Sequence, residues 1–371
     1  MCEGVRRSMS LYEQKVPTVG YIKNLSSLPE DLSNLSLGTN TTKMQRAIVE
    51  YYRRNPNFAV VSFDLLDETG DILYSSDSLF GRPFDERPVV NSVDLTSYSF
   101  SDYSLDVLSS LGFDTSSGWN GDTAFLIYND GDVLIGESDY YSYTTVSKLL
   151  QYEALYAATI ASDASEVKVK DFPIRNELLR SKSDFNYPKR PVTSSSGGVL
   201  IFNTPKGWRL LVGRRSQNVS INKGMVSIFP NGSVEYDDLW GGGFDTSARR
   251  ELGEELFDDN IQEGNEFINN YCTTKRVSCG WNVRDGGMLF GHLFISPHVE
   301  GYKTFMEKQK LNDEVTGIVE IDIFNPKEVN RFVNLDSMSG GAVSTVYYAL
   351  EEFDQNESYP DLPYTIRKRL K

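Results

Sequence analysis

Arg250-Glu251-Leu252-Gly253-Glu254-Glu255-Leu256 is the stretch on which the reading of this chain turns. It follows Gly241-Gly242-Gly243 and a helix start at Asp245-Thr246-Ser247. On a helix, Glu251, Glu254 and Glu255 stand at i, i+3 and i+4 and share one face. Ala248, Leu252 and Leu256 form a separate apolar stripe. One helix can therefore bury one side and aim three acids from the other. Like charges packed this way repel unless a divalent cation or several cationic side chains neutralise them. Hard oxygen donors in that number suit Mg²⁺ or Mn²⁺. Taken alone, the string also reads as a solvated acidic face with a local Arg250–Glu254 pair.

The residues upstream change that balance. Val199 to Phe202 reads as a strand, Thr204-Pro205-Lys206-Gly207 as a turn, and Trp208 to Val212 as the returning strand. Arg214 and Arg215 close it with two cations. The apolar run Met225 to Phe229 follows, then Pro230-Asn231-Gly232-Ser233-Val234-Glu235: a strand, a tight turn and an acid.

In this order the pieces resemble the Nudix hydrolase family. Its motif runs glycine, five residues, an acid, seven residues, Arg-Glu, an aliphatic, any residue, Glu-Glu, any residue, glycine. Arg250 to Glu255 matches the most diagnostic part, and Gly232 followed after five residues by Asp238 matches the start, with Asp in place of Glu. Eleven residues rather than seven separate Asp238 from Arg250, a four-residue insertion around Leu239-Trp240-Gly241-Gly242 that reads as loop. The loop carboxylate is thereby left open among Glu235, Asp238 and Asp245. Phe257 stands where the family has its closing glycine. The resemblance spans residues of about 194–355.

The resemblance implies a metal-dependent hydrolase acting on a phosphoanhydride bond, with Mg²⁺ or Mn²⁺ as cofactor. It implies Glu251, Glu254 and Glu255 as metal ligands, joined by Glu235 or Asp238 from the loop. Arg250 would orient an acid, and Gly232 would let backbone approach metal or phosphate. Arg214 and Arg215 are candidate phosphate clamps, and Glu314 lies in a loop of the kind that supplies a general base in some members. The substrate class is a nucleoside diphosphate linked to another moiety. Two other readings stand beside it: a Nudix-fold nucleotide sensor or regulator without hydrolysis, and a hydrolase of the RNA-decapping type.

Composition narrows the field. A formal net charge of −15 and a pI near 4.7 weigh against broad binding to nucleic acid, which needs basic surface. Three cysteines (Cys2, Cys272 and Cys279) make no disulfide framework, and the last two read as small buried residues. Only two histidines exist, His292 and His298, so any general base is expected to be a carboxylate, and His292 reads as a core or rim residue. Trp240, Trp281 and Tyr271 read as core packing rather than base-stacking residues. No apolar run reaches membrane-spanning length and no signal-peptide core is present, so the expected setting is cytoplasmic, without a membrane partner. A homo-oligomer is left open by the sequence.

The expected fold class is α/β (α+β), a Nudix α/β/α sandwich over residues 199–355 preceded by a separate small α+β domain over 43–187. Residues 1–42 read as a flexible lead, 188–198 as a Pro/Ser/Gly linker, and 356–371 as a basic tail. Lys43 to Arg54 and the run from Val146 to about Ile160 read as helices; Phe58 to Leu66 reads as one strand, with Asp71 to Tyr74 returning against it. Ala124 to Ile135 reads as a hairpin around Asn129-Asp130-Gly131. Residues 261–278 read as irregular helix or loop, Gly287 to Ile295 and Val315 to Ile323 as strands, and Ala342 to Phe353 as a last helix.

Overall fold

Val199, Leu200, Ile201 and Phe202 are all fully buried, although a strand turns successive side chains to opposite faces. Both faces of their sheet must therefore be covered. The structure is a computed structural model that describes residues 192–217, 224–241, 244–282, 287–334 and 337–354, with strands and scattered helical residues between 60 and 188 before them. In chain order the strands are β1 (Val60–Ser62), β2 (Leu65–Leu66), β3 (Ile72–Tyr74), β4 (Val89–Ser92), β5 (Asp122–Asn129), β6 (Asp132–Asp139), β7 (Leu179–Lys182), β8 (Phe185–Pro188), β9 (Val192–Thr204) and β10 (Gly207–Arg215). There follow β11 (Val226–Ser227), β12 (Asn231–Ser233), β13 (Thr273–Asn282), β14 (Met288–Ser296) and β15 (Val315–Asp322). The helices are α1 (Tyr236–Gly241), α2 (Phe244–Leu256), α3 (Ile261–Tyr271), α4 (Val299–Lys308), α5 (Pro326–Phe332) and α6 (Gly340–Asp354).

Three layers result. Val199 and Ile201 of β9, Val212 of β10 and Leu293 of β14 pack with Val343, Val346, Leu350 and Phe353 of α6. Leu200, Phe202, Leu211 and Phe294 face the other way, onto Ala248, Leu252 and Leu256 of α2, Phe267 of α3 and Phe305 of α4. The period-2 alternation thus feeds two cores, and the expected α/β/α sandwich is present. Among the described residues no helix is long and apolar enough to cross a membrane.

β9 is the strand the sheet is built on. It runs parallel to β14 along one edge, from Ser194 opposite Met288 to Phe202 opposite Ser296. Its other edge takes three antiparallel partners in turn: β5 at Val192 and Thr193, β12 at Ser195 to Gly197, and β10 at Leu200 to Thr204. β15 pairs with β10 and β13 with β14.

This arrangement corrects the expected linker. Residues 192–198 belong to β9, and Ser194, Ser196, Gly197 and Gly198 are buried. Their small size serves close packing rather than flexibility. A Cβ on Gly198 would lie 2.7 Å from both Phe294 Cε2 and Pro230 Cδ, and the Gly198 amide donates to Pro230 O at 2.6 Å. The Ser194 hydroxyl donates to Ala124 O at 3.0 Å. Strands before residue 188 share the sheet with those after it: β5 pairs with β9, and β1 pairs with β13, Val60 lying opposite Asn282.

Other expectations sort as follows. Phe58 to Leu66 is split, because β1 joins β13 whereas β2 pairs with β3 and β4. The β2–β3 return and the β5–β6 hairpin, with Asn129 opposite Asp132, are as read. Residues 261–278 are regular: α3 to Tyr271, capped by the Asn260 side chain on the Glu263 amide, then β13. The inserted stretch begins in helix, since Leu239, Trp240 and Gly241 end α1. The last helix is α6. Lys43 to Arg54, the lead 1–42 and the tail 356–371 lie outside the described residues, as do residues 151–160.

If residues 194–198 are core rather than linker, Gly198→Ala costs about 1–3 kcal/mol through overpacking. Gly317→Ala, where an added Cβ meets nothing within 4 Å, changes stability by less than about 0.5 kcal/mol. Urea unfolding of the two variants checks this.

Candidate active site

The acid helix α2 lies with Ala248, Leu252 and Leu256 in the core, so its register is set by packing. That register turns Arg250, Glu251, Glu254 and Glu255 toward β12 and the turn beyond it. The Arg250 guanidinium is the hub. Its Nε donates to Asp238 Oδ2 at 3.1 Å, its Nη1 to Glu254 Oε2 at 2.7 Å, and its Nη2 to Ser233 O at 2.7 Å. Nη2 also pairs with Glu251 Oε1 at 3.0 Å, and Nη1 stands 3.6 Å from Glu235 Oε1. Burial works against the cation, but Glu251, Asp238 and Glu254 outweigh it and hold the group firmly charged.

Asp238 is buried and takes three donors on one oxygen. Its Oδ2 accepts from the Ser247 hydroxyl at 2.6 Å, from Arg250 Nε and from the Glu235 amide at 3.3 Å. It ties α1 to the first turns of α2. Glu235 is half-exposed beside the same guanidinium; burial raises its carboxyl, against the pull of Arg250. Of the three loop acids, Asp245 goes elsewhere. It forms a two-pronged pair with Arg276, at 2.9 and 3.0 Å, and takes His292 Nε2 at 3.2 Å. His292 is fully buried, with Nδ1 3.3 Å from the Ser196 hydroxyl. Burial pushes Asp245 up, but the bonds from His292 and Arg276 outweigh it and hold the carboxyl well below its usual range.

Glu251 and Glu255 are the buried acids of the face. Burial lifts Glu251 to about 8 despite Arg250, and lifts Glu255 well above the carboxylate range, with Glu251 adding to the effect. A Cβ on Gly232 would fall on the Glu251 carboxylate, so a larger residue there would displace that carboxylate. The Asn231 amide donates to Glu255 Oε2 at 2.9 Å. Among the described residues, Glu251 Oε2 and Glu255 Oε1 accept no hydrogen bond. Arg215 pairs with Glu314 at 3.5 Å, and both groups act on the charge of Glu255. Arg214 is exposed, and among the described residues its side chain meets none of these acids.

Glu235, Asp238, Arg250, Glu251 and Glu254 thus come together, with Glu255, Arg215 and Glu314 adjoining, while Arg214 stands apart. Sequence reasoning missed Ser247, the Ser233 carbonyl and the His292–Asp245–Arg276 set. The first lay in view as a serine in the first turns of the helix; the last joins residues from three elements and had no local signal. Phe257, in place of a closing glycine, is buried against Phe267 and Phe305. The chain turns one residue later, at Asp258 and Asp259, with φ of 57° and 62°. Cys272 and Cys279 are free thiols, one half-buried and one buried, and burial raises Cys272 to about 12, which makes it inert. Tyr271 packs on Phe267, and the side chains of Trp240 and Trp281 lie outside the described residues.

The donor set suits a hard divalent cation in kind. Six carboxylates (Glu235, Asp238, Glu251, Glu254, Glu255 and Glu314) face two guanidiniums, Arg250 and Arg215. Among the described residues, two buried acids each keep an oxygen without a hydrogen-bond partner: Glu251 beside the one paired with Arg250, and Glu255 beside the one bound by the Asn231 amide. Among the described residues, no three acid, histidine or cysteine side chains are already gathered into a metal-ligating group, because Arg250 holds Glu251 and Glu254.

No family model matches this chain, and no curated protein matches it. Many of the solved structures similar to part of it are Nudix proteins. The Nudix domain of Shewanella oneidensis NrtR complexed with ADP ribose is 12% identical, with 43% of this chain and 87% of that one covered and a TM-score of 0.31. The MutT protein from Methanosarcina mazei Go1 is 17% identical, covering 44% and 93%, with a TM-score of 0.28. A C. elegans Ap4A hydrolase binary complex is 12% identical, covering 44% and 95%, with a TM-score of 0.27. Likenesses at this level leave the functional argument to the chain's own residues.

Asp245→Asn removes the partner of Arg276 and of buried His292. After allowance for solvent at this half-exposed pair, it costs about 1 kcal/mol at pH 7. Because the folded carboxyl titrates below its unfolded value of 3.8, its stabilisation is complete above about pH 4 and is lost as pH falls through the folded value. Unfolding midpoints of variant and wild type should therefore converge on acidification below about pH 4.

Proposed function

We propose that this chain is a metal-dependent pyrophosphohydrolase of the Nudix type that cleaves a nucleoside diphosphate linked to another moiety. The observation that carries this reading is the buried pair of acids at Glu251 and Glu255, each with one oxygen that takes no hydrogen bond among the described residues. Buried acids that repel one another are costly unless a cation joins them. Glu251, Glu254, Glu255 and Glu235 are the ligands that would hold Mg²⁺ or Mn²⁺. When bound, such an ion neutralises phosphate charge and makes water a better nucleophile near neutral pH.

The other residues take roles that their partners support. Asp238, with three donors on one oxygen, positions Arg250 and α2 rather than ligating. Arg250, spent on Asp238, Glu254, Glu251 and Ser233 O, orients the acids and does not touch substrate. Gly232 keeps the backbone close to the Glu251 carboxylate. Glu314, more than half exposed and steadied by Arg215, is the group placed to accept a proton from the attacking water. Arg215, with Arg214 at the exposed end of β10, binds the substrate phosphates.

A nucleotide sensor that does not hydrolyse is the second reading. The hold of Arg250 on Glu251 and Glu254 favours it, because a catalytic ion must share those acids.

Purified protein with Mg²⁺ or Mn²⁺ should release phosphate-bearing products from a panel of dinucleotides, sugar nucleotides and coenzymes, with ADP-ribose and Ap4A among them. Glu254→Gln and Glu255→Gln are each expected to lower kcat by at least about 100-fold. Glu255→Gln should also stabilise the metal-free protein by about 1 kcal/mol, since it removes a buried acid. An inert wild type that still binds nucleotide would support the sensor instead.

A further inference from the structure

The turn that carries Glu235 is held from two sides. On one side, Arg250 Nη2 donates to Ser233 O at 2.7 Å. On the other, the Ala124 amide of β5 donates to Val234 O at 2.8 Å, and the Val234 amide donates to Ser194 O at 3.0 Å. The Ser194 hydroxyl closes the set by donating to Ala124 O at 3.0 Å. Ala124 and Val234 are fully buried, and α1 packs against β5. The Glu235 amide is itself bound to Asp238 Oδ2. The backbone groups of Ala124, Val234 and Ser194 lie in buried residues, so loss of a partner there is costly. β5 reaches this place because Phe125 and Leu126 pair with the first residues of β9.

We infer that the region before β9 is a working part of the site, with Ala124 as a positioning residue that sets where the Glu235 carboxylate stands. The inference rests on the reading of Glu235 as a cation ligand. It gives the N-terminal region a role: it supplies the outer support of the acid turn, while Arg250 supplies the inner one. Partners of a ligand-bearing segment shift metal affinity by about 10- to 100-fold when removed.

The test uses the full-length protein and two readouts, amide hydrogen exchange without metal and Mn²⁺ binding by calorimetry. Ala124→Pro deletes the donor to Val234 O. It should speed exchange at Val234 and Glu235 and weaken Mn²⁺ binding about 10-fold or more. In a Glu235→Gln background the same change should weaken Mn²⁺ little further, because both act through one group. Additive losses in the two backgrounds, or unchanged exchange at Val234 and Glu235, would overturn the inference. Should Ala124→Pro fail to fold, Ser194→Ala keeps both backbone bonds, removes the hydroxyl clamp on Ala124 and should show the same pattern at smaller size. A wild type that binds no Mn²⁺ would sink the metal reading and, with it, the role in ligation. Exchange in the metal-free protein would still tell whether Ala124 holds the turn.

Discussion

A single guanidinium holds the acid cluster in register. Arg250 lies against Asp238, Glu251 and Glu254, with the Ser233 carbonyl as a fourth acceptor. A planar fork with fixed donor directions can satisfy such a set only if α1, α2 and the β12 turn take up one mutual arrangement. Burying charge costs several kcal/mol per ion and is offset only when geometry and hydrogen bonds are near complete. Arg250 meets that condition, and its acids do so only in part. What it leaves over is acid only partly matched by cations at Glu251 and Glu255, in the least hydrated part of the face, where burial raises both carboxyls above their usual range.

The sheet explains why that arrangement holds. β9 carries small residues where other elements approach most closely, and large apolar ones where α2 and α6 cover it. Ser194 and Ser196 spend their hydroxyls on β5 and His292, and Gly198 admits Pro230 and Phe294. Through His292, Asp245 and Arg276, strands β13 and β14 also grip the first turn of α2. The acid helix is thus fixed at its start by an ion pair on the sheet, along its length by apolar packing, and at the site by Arg250.

Much of this was legible in the residues. The i, i+3, i+4 spacing of the three acids, their opposed apolar stripe, the β9–β10 hairpin, β14 and α6 all follow from periodicity and turn chemistry. What was not legible shares a cause. Ser194-Ser195-Ser196-Gly197-Gly198 has the composition of a flexible linker, and close packing calls for the same residues; only the partners from β14, β12 and β5 tell the two apart. Asp238 and Asp245 are similar acids, each in the first turn of one of two successive helices. Their different fates depend on Arg276 and His292 in one case and on Arg250 and Ser247 in the other, and part of that set lies on distant strands. β1 was read with its sequence neighbours, whereas its pairing partner β13 is more than 200 residues away.

The central claim is that the uncommitted oxygens of Glu251 and Glu255 form the floor of a cation site completed by Glu254 and Glu235. Anomalous diffraction from crystals soaked in Mn²⁺ tests it most directly. The account expects a manganese peak bordered by the carboxylates of Glu251, Glu254 and Glu255, with the Arg250–Asp238 contact intact. Saturating Mn²⁺ with no peak at these acids, and Arg250 still closed on Glu251 and Glu254, would contradict it.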